Sequence, residues 1–209
     1  MTSNRWVPRA LTAVEQEQAK ALFEREVDLI VPGSFDDSTG EARRVRAWMA
    51  RTGDRAPVDT WIGLFDGVRV VGALHAGPHY GQAADVLSSL GRPGAPDARW
   101  LRAYIELVGS IEEVAVDPAY RRQGAGAALV RVGVAGLAHR GVRTVSGFAS
   151  SPASVELFRS LRFTVGGRRQ AVPAAFSEGL QTSWWDGVPE DGRYFWKALP
   201  APGAAFGLR

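Results

Sequence analysis

The segment VAVDPAYRRQGAGAALV, Val114 to Val130, constrains the fold more than any other, because it joins a strand to a helix through a turn of unusual composition. Apolar residues run to Asp117-Pro118, Arg121-Arg122-Gln123-Gly124-Ala125-Gly126 follows, and an alanine-rich helix begins there. Such a turn aims several backbone N–H groups and a helix N-terminus at one point, which is an anion site. Gly124 and Gly126 carry no side chain to hold a ligand's phosphates off those amides, and Arg121 or Arg122 can add charge-assisted bonds. The Walker A loop needs Gly-Lys-Ser/Thr where Gly126-Ala127-Ala128 stands, so it does not fit. The dinucleotide fingerprint needs a third glycine at Leu129 and an acidic residue after the next strand, and it fails too. What remains is a Gln/Arg-x-x-Gly-x-Gly/Ala pattern from Arg121 to Gly126 behind a Val-x-Pro lead-in.

Around this turn, strand and helix periodicities alternate. Arg5 to Leu11 predicts a first strand, and Thr12 with Glu15 has capping-box spacing at the start of a helix striped by Val14, Leu22 and Leu29. EARRVRAWMAR predicts a second helix, with Val45, Trp48 and Met49 on one face. TWIGLFDGVRVVGALHAG predicts two strands about an Asp66-Gly67 turn. Residues 78–101 form an insertion rich in Gly, Pro and Asp, with a short helix at AADVLSSL, and YIELVGSIEEVAVD is the next strand. GAGAALVRVGVAGLAHR is a helix, apolar nearly all round, that closes on His139, Arg140 and Gly141. VRTVSGFAS is a strand, and Ser151-Pro152 caps the helix ASVELFRSLRF. FTVGGRRQAV and RYFWKAL are the last strands, on either side of a Trp-bearing loop at 177–192. This order predicts a mixed α/β fold, a central and mostly antiparallel sheet of six to seven strands flanked by about four helices, as a single domain over 1–209.

Composition narrows the chemistry. There is no cysteine, which excludes disulfides, thiolate metal sites and a cysteine nucleophile. The formal net charge is only +3 and the arginines are spread along the chain, so no nucleic-acid partner is expected. No apolar run approaches a membrane span and the N-terminus has no secretory h-region, so the expectation is a cytoplasmic protein with no membrane partner.

The loop from Arg121 to Gly126, with its strand before and helix after, resembles the GCN5-related N-acetyltransferase (GNAT) superfamily. The second segment, SPASVELFRSLRF, is similar to that superfamily's NxxAxxLYxxxGF helix, and the element order is the same. The resemblance implies a GNAT-like fold and an acetyl-CoA-dependent N-acetyltransferase that releases coenzyme A. It implies that Val114, Ala115 and Val116 lend backbone groups to the pantetheine arm, on a strand that splays from the one beginning near Val145. Arg121, Arg122, Gln123, Gly124, Ala125, Gly126 and Ala127 would hold the pyrophosphate, and Ser151 and Ser154 would face the cofactor. Phe158 stands where the family often has a tyrosine that protonates the leaving thiolate, and Tyr120 or Tyr104 are the candidates to replace it. Ser151, Ser154 and Arg162 also depart from the usual Asn, Ala and Gly. These departures leave a second reading open, an acetyl-CoA-binding regulatory module with little catalysis.

Acetyl transfer needs a neutral amine, yet a lysine-like amine of pKa ~10.4 is neutral in only about one molecule in 2,500 at pH 7. Glu112 and Glu113 are the candidate bases. Neighbours on a strand face opposite ways, so at most one is expected in the cleft, and Glu112 is favoured. The acceptor is expected to be a primary amine of a small molecule or peptide, under lids at 78–101 and 177–192. His75 and His79 are expected to share a strand face without a third ligand, so no metal is expected. Trp184 and Trp185, with Phe195 and Trp196, read as core or loop anchors, or as a wall of the acceptor pocket. A homodimer is compatible with the sequence, as the commonest closed assembly.

Overall fold

The computed structural model describes residues 6–27, 40–54, 58–168, 170, 172 and 192–200. In chain order these form β1 (Arg9–Ala10), α1 (Ala13–Glu26), α2 (Gly40–Arg51), β2 (Thr60–Asp66), β3 (Arg69–Pro78), α3 (Tyr80–Ser89), α4 (Ala98–Leu107), β4 (Val108–Val116), α5 (Ala125–His139), β5 (Thr144–Ala149), α6 (Pro152–Ser160), β6 (Thr164–Val165) and β7 (Arg193–Ala198). The strands make one seven-stranded sheet in the order β1-β2-β3-β4-β5-β7-β6. Every pairing is antiparallel except β4 with β5.

The local reasons for these elements are visible in the caps and turns. Thr12 and Glu15 form the capping box of α1. Gly67, at φ +60°, turns β2 into β3 with Asp66 opposite Arg69, and Gly141, at φ +94°, ends the turn after α5. β3 is buried along nearly its whole length because helices cover both faces of the sheet there. On one face α5 lays Leu129, Val130 and Leu137 over Ile62, Leu64 and Leu74. Its approach is close enough that a Cβ on Gly133 would lie 2.7 Å from a Leu74 methyl. On the other face Ala19, Leu22 and Phe23 of α1 pack on Val70, Ala73 and Ala115. A further cluster joins α2, α3 and α4 through Val45, Trp48, Ala83, Val86, Leu101 and Tyr104.

Several elements differ from the sequence expectation, among them FTVGGRRQAV, which keeps strand only at Thr164–Val165 among the described residues. The insertion is helical, so six α-helices rather than about four flank the sheet among the described residues. Tyr104 to Leu107, read as strand, complete α4, because Asp97 caps that helix and Leu101, Tyr104 and Ile105 bury one helical stripe. The first strand shrinks to Arg9–Ala10. Among the described residues no helix is long and apolar enough to cross a membrane.

At Gly147 a Cβ would meet backbone, the Ile111 carbonyl oxygen at 2.7 Å, as well as the Phe195 ring at 2.4 Å. Backbone cannot give way as a flexible side chain can. Gly147→Ala is therefore expected to lower stability by about 1–3 kcal/mol, read as a lower urea midpoint with an unchanged m-value.

Candidate functional site

β4 and β5 run parallel and paired only over Val108–Ile111 and Thr144–Gly147. Beyond that point β4 continues beside β3 to Val116, and β5 continues beside β7 to Ala149. Val114, Ala115 and Val116 therefore lie past the last β5 partner, on an edge that pairs with no strand among the described residues. Between the diverging strands lies a cavity of about 70 Å³ bordered by Glu112, Glu113, Val114, Ser154, Phe158 and Phe195.

The edge leads into the glycine turn. Asp117 caps a single 3-10 turn at Pro118–Tyr120, Arg122 takes φ 60°, and Gly124 takes φ +82° just before α5. No side chain caps α5, so its first N–H groups face outward at the positive end of the helix dipole. The guanidinium of Arg121 donates to the Val116 carbonyl at 2.9 Å and pairs with Glu26 at the end of α1. Gln123 accepts from the Trp6 indole through its carbonyl and donates from its side chain to the Ala119 carbonyl. Ala125 is buried, Ala127 packs on the core, and a Cβ on Gly126 would make an ordinary 3.5 Å contact with Leu157.

Ser151 and Ser154 close a reciprocal cap at the start of α6, with the Ser154 hydroxyl donating to the Ser151 carbonyl at 2.8 Å. Their hydroxyls are thus engaged with each other, although Ser154 still borders the cavity. Phe158 is a core residue, stacked on Phe195 at 3.5 Å between centroids and edge-on to Phe163. Neither tyrosine named as its replacement borders the cavity. Tyr104 is wholly buried, where desolvation, with the charge of Glu112, raises its phenol well above the usual value. Tyr120 is edge-on to Trp6 and donates to Asp66.

Both glutamates border the cavity, contrary to the simple alternation expected of a strand. The reason is a bulge. His75 pairs with Glu113 and Ala76 with Ile111, so Glu112 is an extra residue with no partner in the ladder. Ile111 packs on the α5 side, whereas Ala115 packs against α1 and Glu113 meets His75, whose ring stacks on Trp61 of that side at 4.2 Å. Glu112 is exposed, and the Glu113 side chain is 12% exposed.

Glu113 is one end of a buried chain of charge that sequence reasoning did not assemble. Its carboxylate lies 2.7 Å from His75 Nδ1, and His75 Nε2 lies 3.6 Å from Asp59, an ion-pair rather than a hydrogen-bond separation. Asp59 accepts from Arg46 at 2.8 Å and from the Tyr80 hydroxyl at 3.1 Å, and Arg46 sits over the Tyr80 ring at 5.0 Å. Burial alone would lower the His75 imidazole, but Asp59 and Glu113 outweigh it and raise it to about 9. Burial pushes the Glu113 carboxyl up against the pull of His75. Asp59 stays low because His75, Arg46 and Tyr80 overcome its burial. His79 does not share this face. β3 ends at Pro78, and the His79 ring caps α3 by accepting from the Gln82 N–H. Among the described residues no group of three His, Asp or Glu side chains is placed to hold a metal ion. Trp184, Trp185 and residues 177–191 of the expected second lid lie outside the described residues.

Residues 23–163 match the acetyltransferase (GNAT) family, and the chain belongs to that family. Solved structures share its fold at low identity. A GNAT phosphinothricin acetyltransferase from Sinorhizobium meliloti, in complex with acetyl-CoA, is 15% identical with a TM-score of 0.54, covering 97% of this chain and 96% of that one. A ribosomal-protein-alanine N-acetyltransferase from Brucella melitensis is 18% identical with a TM-score of 0.52, covering 92% and 99%. The YncA protein of Salmonella typhimurium, with its cofactor acetyl-CoA, is 19% identical with a TM-score of 0.51, covering 97% and 100%. None of the curated proteins matches the chain.

The raised imidazole makes a prediction about stability. A group with a higher pKa folded than unfolded stabilises most below the unfolded value and loses that contribution as pH rises through the folded value. The stability difference between wild type and His75→Gln is therefore expected to be largest near pH 6 and to shrink between pH ~6.5 and about 9, followed by thermal unfolding across that range.

Proposed function

We propose that this protein transfers an acetyl group from acetyl-CoA to a primary amine of a small molecule or peptide, with Glu113 as the base that faces the amine. The observation that carries this reading is the parting of β4 from β5. It leaves an open strand edge at Val114 to Val116 leading straight into a left-handed turn at the start of α5. An open edge can pair with the amides of an extended arm, and the turn can hold the phosphates at its end. The residues fit the group: Gly124 supplies the left-handed conformation, and the first N–H groups of α5 carry no side-chain cap. Acetyl-CoA bound there would supply the activated acetyl thioester.

Glu113 is chosen over Glu112 because it is partly buried at the cavity and anchored by His75, whereas Glu112 is exposed on the bulge. Acetyl-CoA in two structures of the same fold supports the donor. Acceptors named for such structures include both a small molecule and a ribosomal protein, which supports an amine acceptor without choosing between those classes.

Phe158 favours the second reading, a module that binds acetyl-CoA and turns it over slowly, because no hydroxyl stands at its position. Thiol release from acetyl-CoA, measured with a thiol-reactive dye across small amines, polyamines, amino acids and peptide N-termini, separates the two. The absence of cysteine removes protein background from that assay. Turnover with one class establishes the transferase; tight acetyl-CoA binding with silence across the panel supports the module.

With an acceptor in hand, Glu113→Gln is expected to lower kcat ~10²- to 10⁴-fold while acetyl-CoA affinity stays unchanged by calorimetry. Gly124→Ala, which forces a side chain into the left-handed region, is expected to weaken acetyl-CoA binding roughly tenfold.

A further inference from the structure

We infer that His75 is a positioning residue for this reaction: it orients the Glu113 carboxylate by donating its Nδ1 proton to it, with Asp59 and Arg46 fixing the imidazole from behind. The inference rests on the transferase reading and deepens its base. Its ground is the continuity of the contacts from the cleft wall through two strands to α2.

Glu113 borders the cavity and touches His75 Nδ1 at 2.7 Å. The opposite ring nitrogen, Nε2, is buried without a hydrogen-bond partner and faces Asp59 at 3.6 Å. The 2.7 Å contact requires a proton on Nδ1, donated to the Glu113 carboxylate, because two bare acceptors do not approach so closely, whereas 3.6 Å at Nε2 is an ion-pair separation. Asp59 is itself held by Arg46 and Tyr80, and a Cβ on the neighbouring Gly77 would come within 2.6 Å of its carboxylate, so its position is closely confined. Trp61 stacks on the imidazole and fixes the ring plane.

The charged and titratable groups around His75 come from each packed element. They are Glu113 from β4, Asp59 before β2, Arg46 from α2 and Tyr80 from α3, while Arg140 just after α5 acts on Asp59 and Glu112 on Glu113. Two carboxylates flank the one imidazole, and Arg46 balances the outer one. The two carboxylates thus favour the imidazolium, whose Nδ1–H fixes one oxygen of Glu113.

An N–H bond of the ammonium breaks and the proton passes to the Glu113 carboxylate, whose other oxygen stays hydrogen-bonded to the His75 Nδ1–H. The neutral amine nitrogen bonds to the acetyl carbon as the C–S bond breaks, and the second N–H proton goes to the leaving sulfur. Glu113 then returns its proton to solvent.

The test has one arm that needs no substrate. In protein labelled with ¹⁵N-histidine, the His75 signal, assigned by its loss in His75→Gln, is expected to titrate near pH 9 and to move down by more than one unit in Glu113→Gln. A titration near 6.5 in wild type, or one unmoved by Glu113→Gln, overturns the inference. In the kinetic arm, His75→Gln is expected to lower kcat roughly 10- to 100-fold and to abolish the fall of kcat that sets in as the imidazolium deprotonates toward pH 9, with acetyl-CoA affinity unchanged. Asp59→Asn leaves every cleft-lining side chain in place and serves if His75→Gln does not fold; it is expected to shift the same limb to lower pH. An unaltered pH profile in these variants sinks the His75 role while the transferase reading stands. A wild type that binds acetyl-CoA and acetylates no amine removes the transferase reading itself, whatever the histidine titration shows.

Discussion

The site depends on one irregularity, the extra residue Glu112 in β4. A regular ladder would put Glu113 on the same side as Ile111, under α5, where it would be a carboxylate in an apolar core. The bulge turns it to the α1 side instead and increases the local twist just where β4 leaves β5. One inserted residue thus opens the cleft, presents the glutamate and keeps the apolar face intact. Gly147 sits opposite this point with no room for a side chain, so the last paired position is as tight as the backbone allows.

The buried charges beyond the bulge would be a liability in isolation. Taking a carboxylate or an imidazolium out of water costs several kcal/mol, and it is offset only when partners are close and the remaining polar atoms are met. Here the charges alternate in sign, Glu113, His75, Asp59, Arg46, and aromatic rings from Trp61 and Tyr80 flank the two cations. Such a row ties β2, β3, β4, α2 and α3 together by direction as well as by apolar contact. Removing one member strands its neighbours, so the effects of Asp59, His75 and Glu113 substitutions should not add.

Much of the fold could be read from local pattern because its signals are local. The capping box at Thr12, the Asp66-Gly67 turn, the glycine turn before α5 and the Ser151-Pro152 cap each sit within a few residues. Tyr104 to Leu107 were misread because a β-rich run, YIELV, hid the helical stripe that begins at Leu101. The candidate site was legible only where the motif is contiguous. His75, Asp59 and Arg46 meet Glu113 through cross-strand register and helix packing, which no spacing in the sequence announces. Strict alternation expects one glutamate in the cleft and does not anticipate the bulge, since nothing in SIEEVAV marks which residue the ladder leaves out.

The placement of β7 has a consequence for how the molecule is made. This strand lies between β5 and β6, yet it is translated after both, and it brings Phe195 to stack on Phe158 and to wedge against Phe163. Until it arrives, β5 has one edge bare and α6 lacks its aromatic partner. The wall of the cleft that carries Ser154 and Phe158 is therefore completed last on the ribosome, and a nascent chain paused before residue 193 exposes an unpaired strand edge of the kind that invites misassociation.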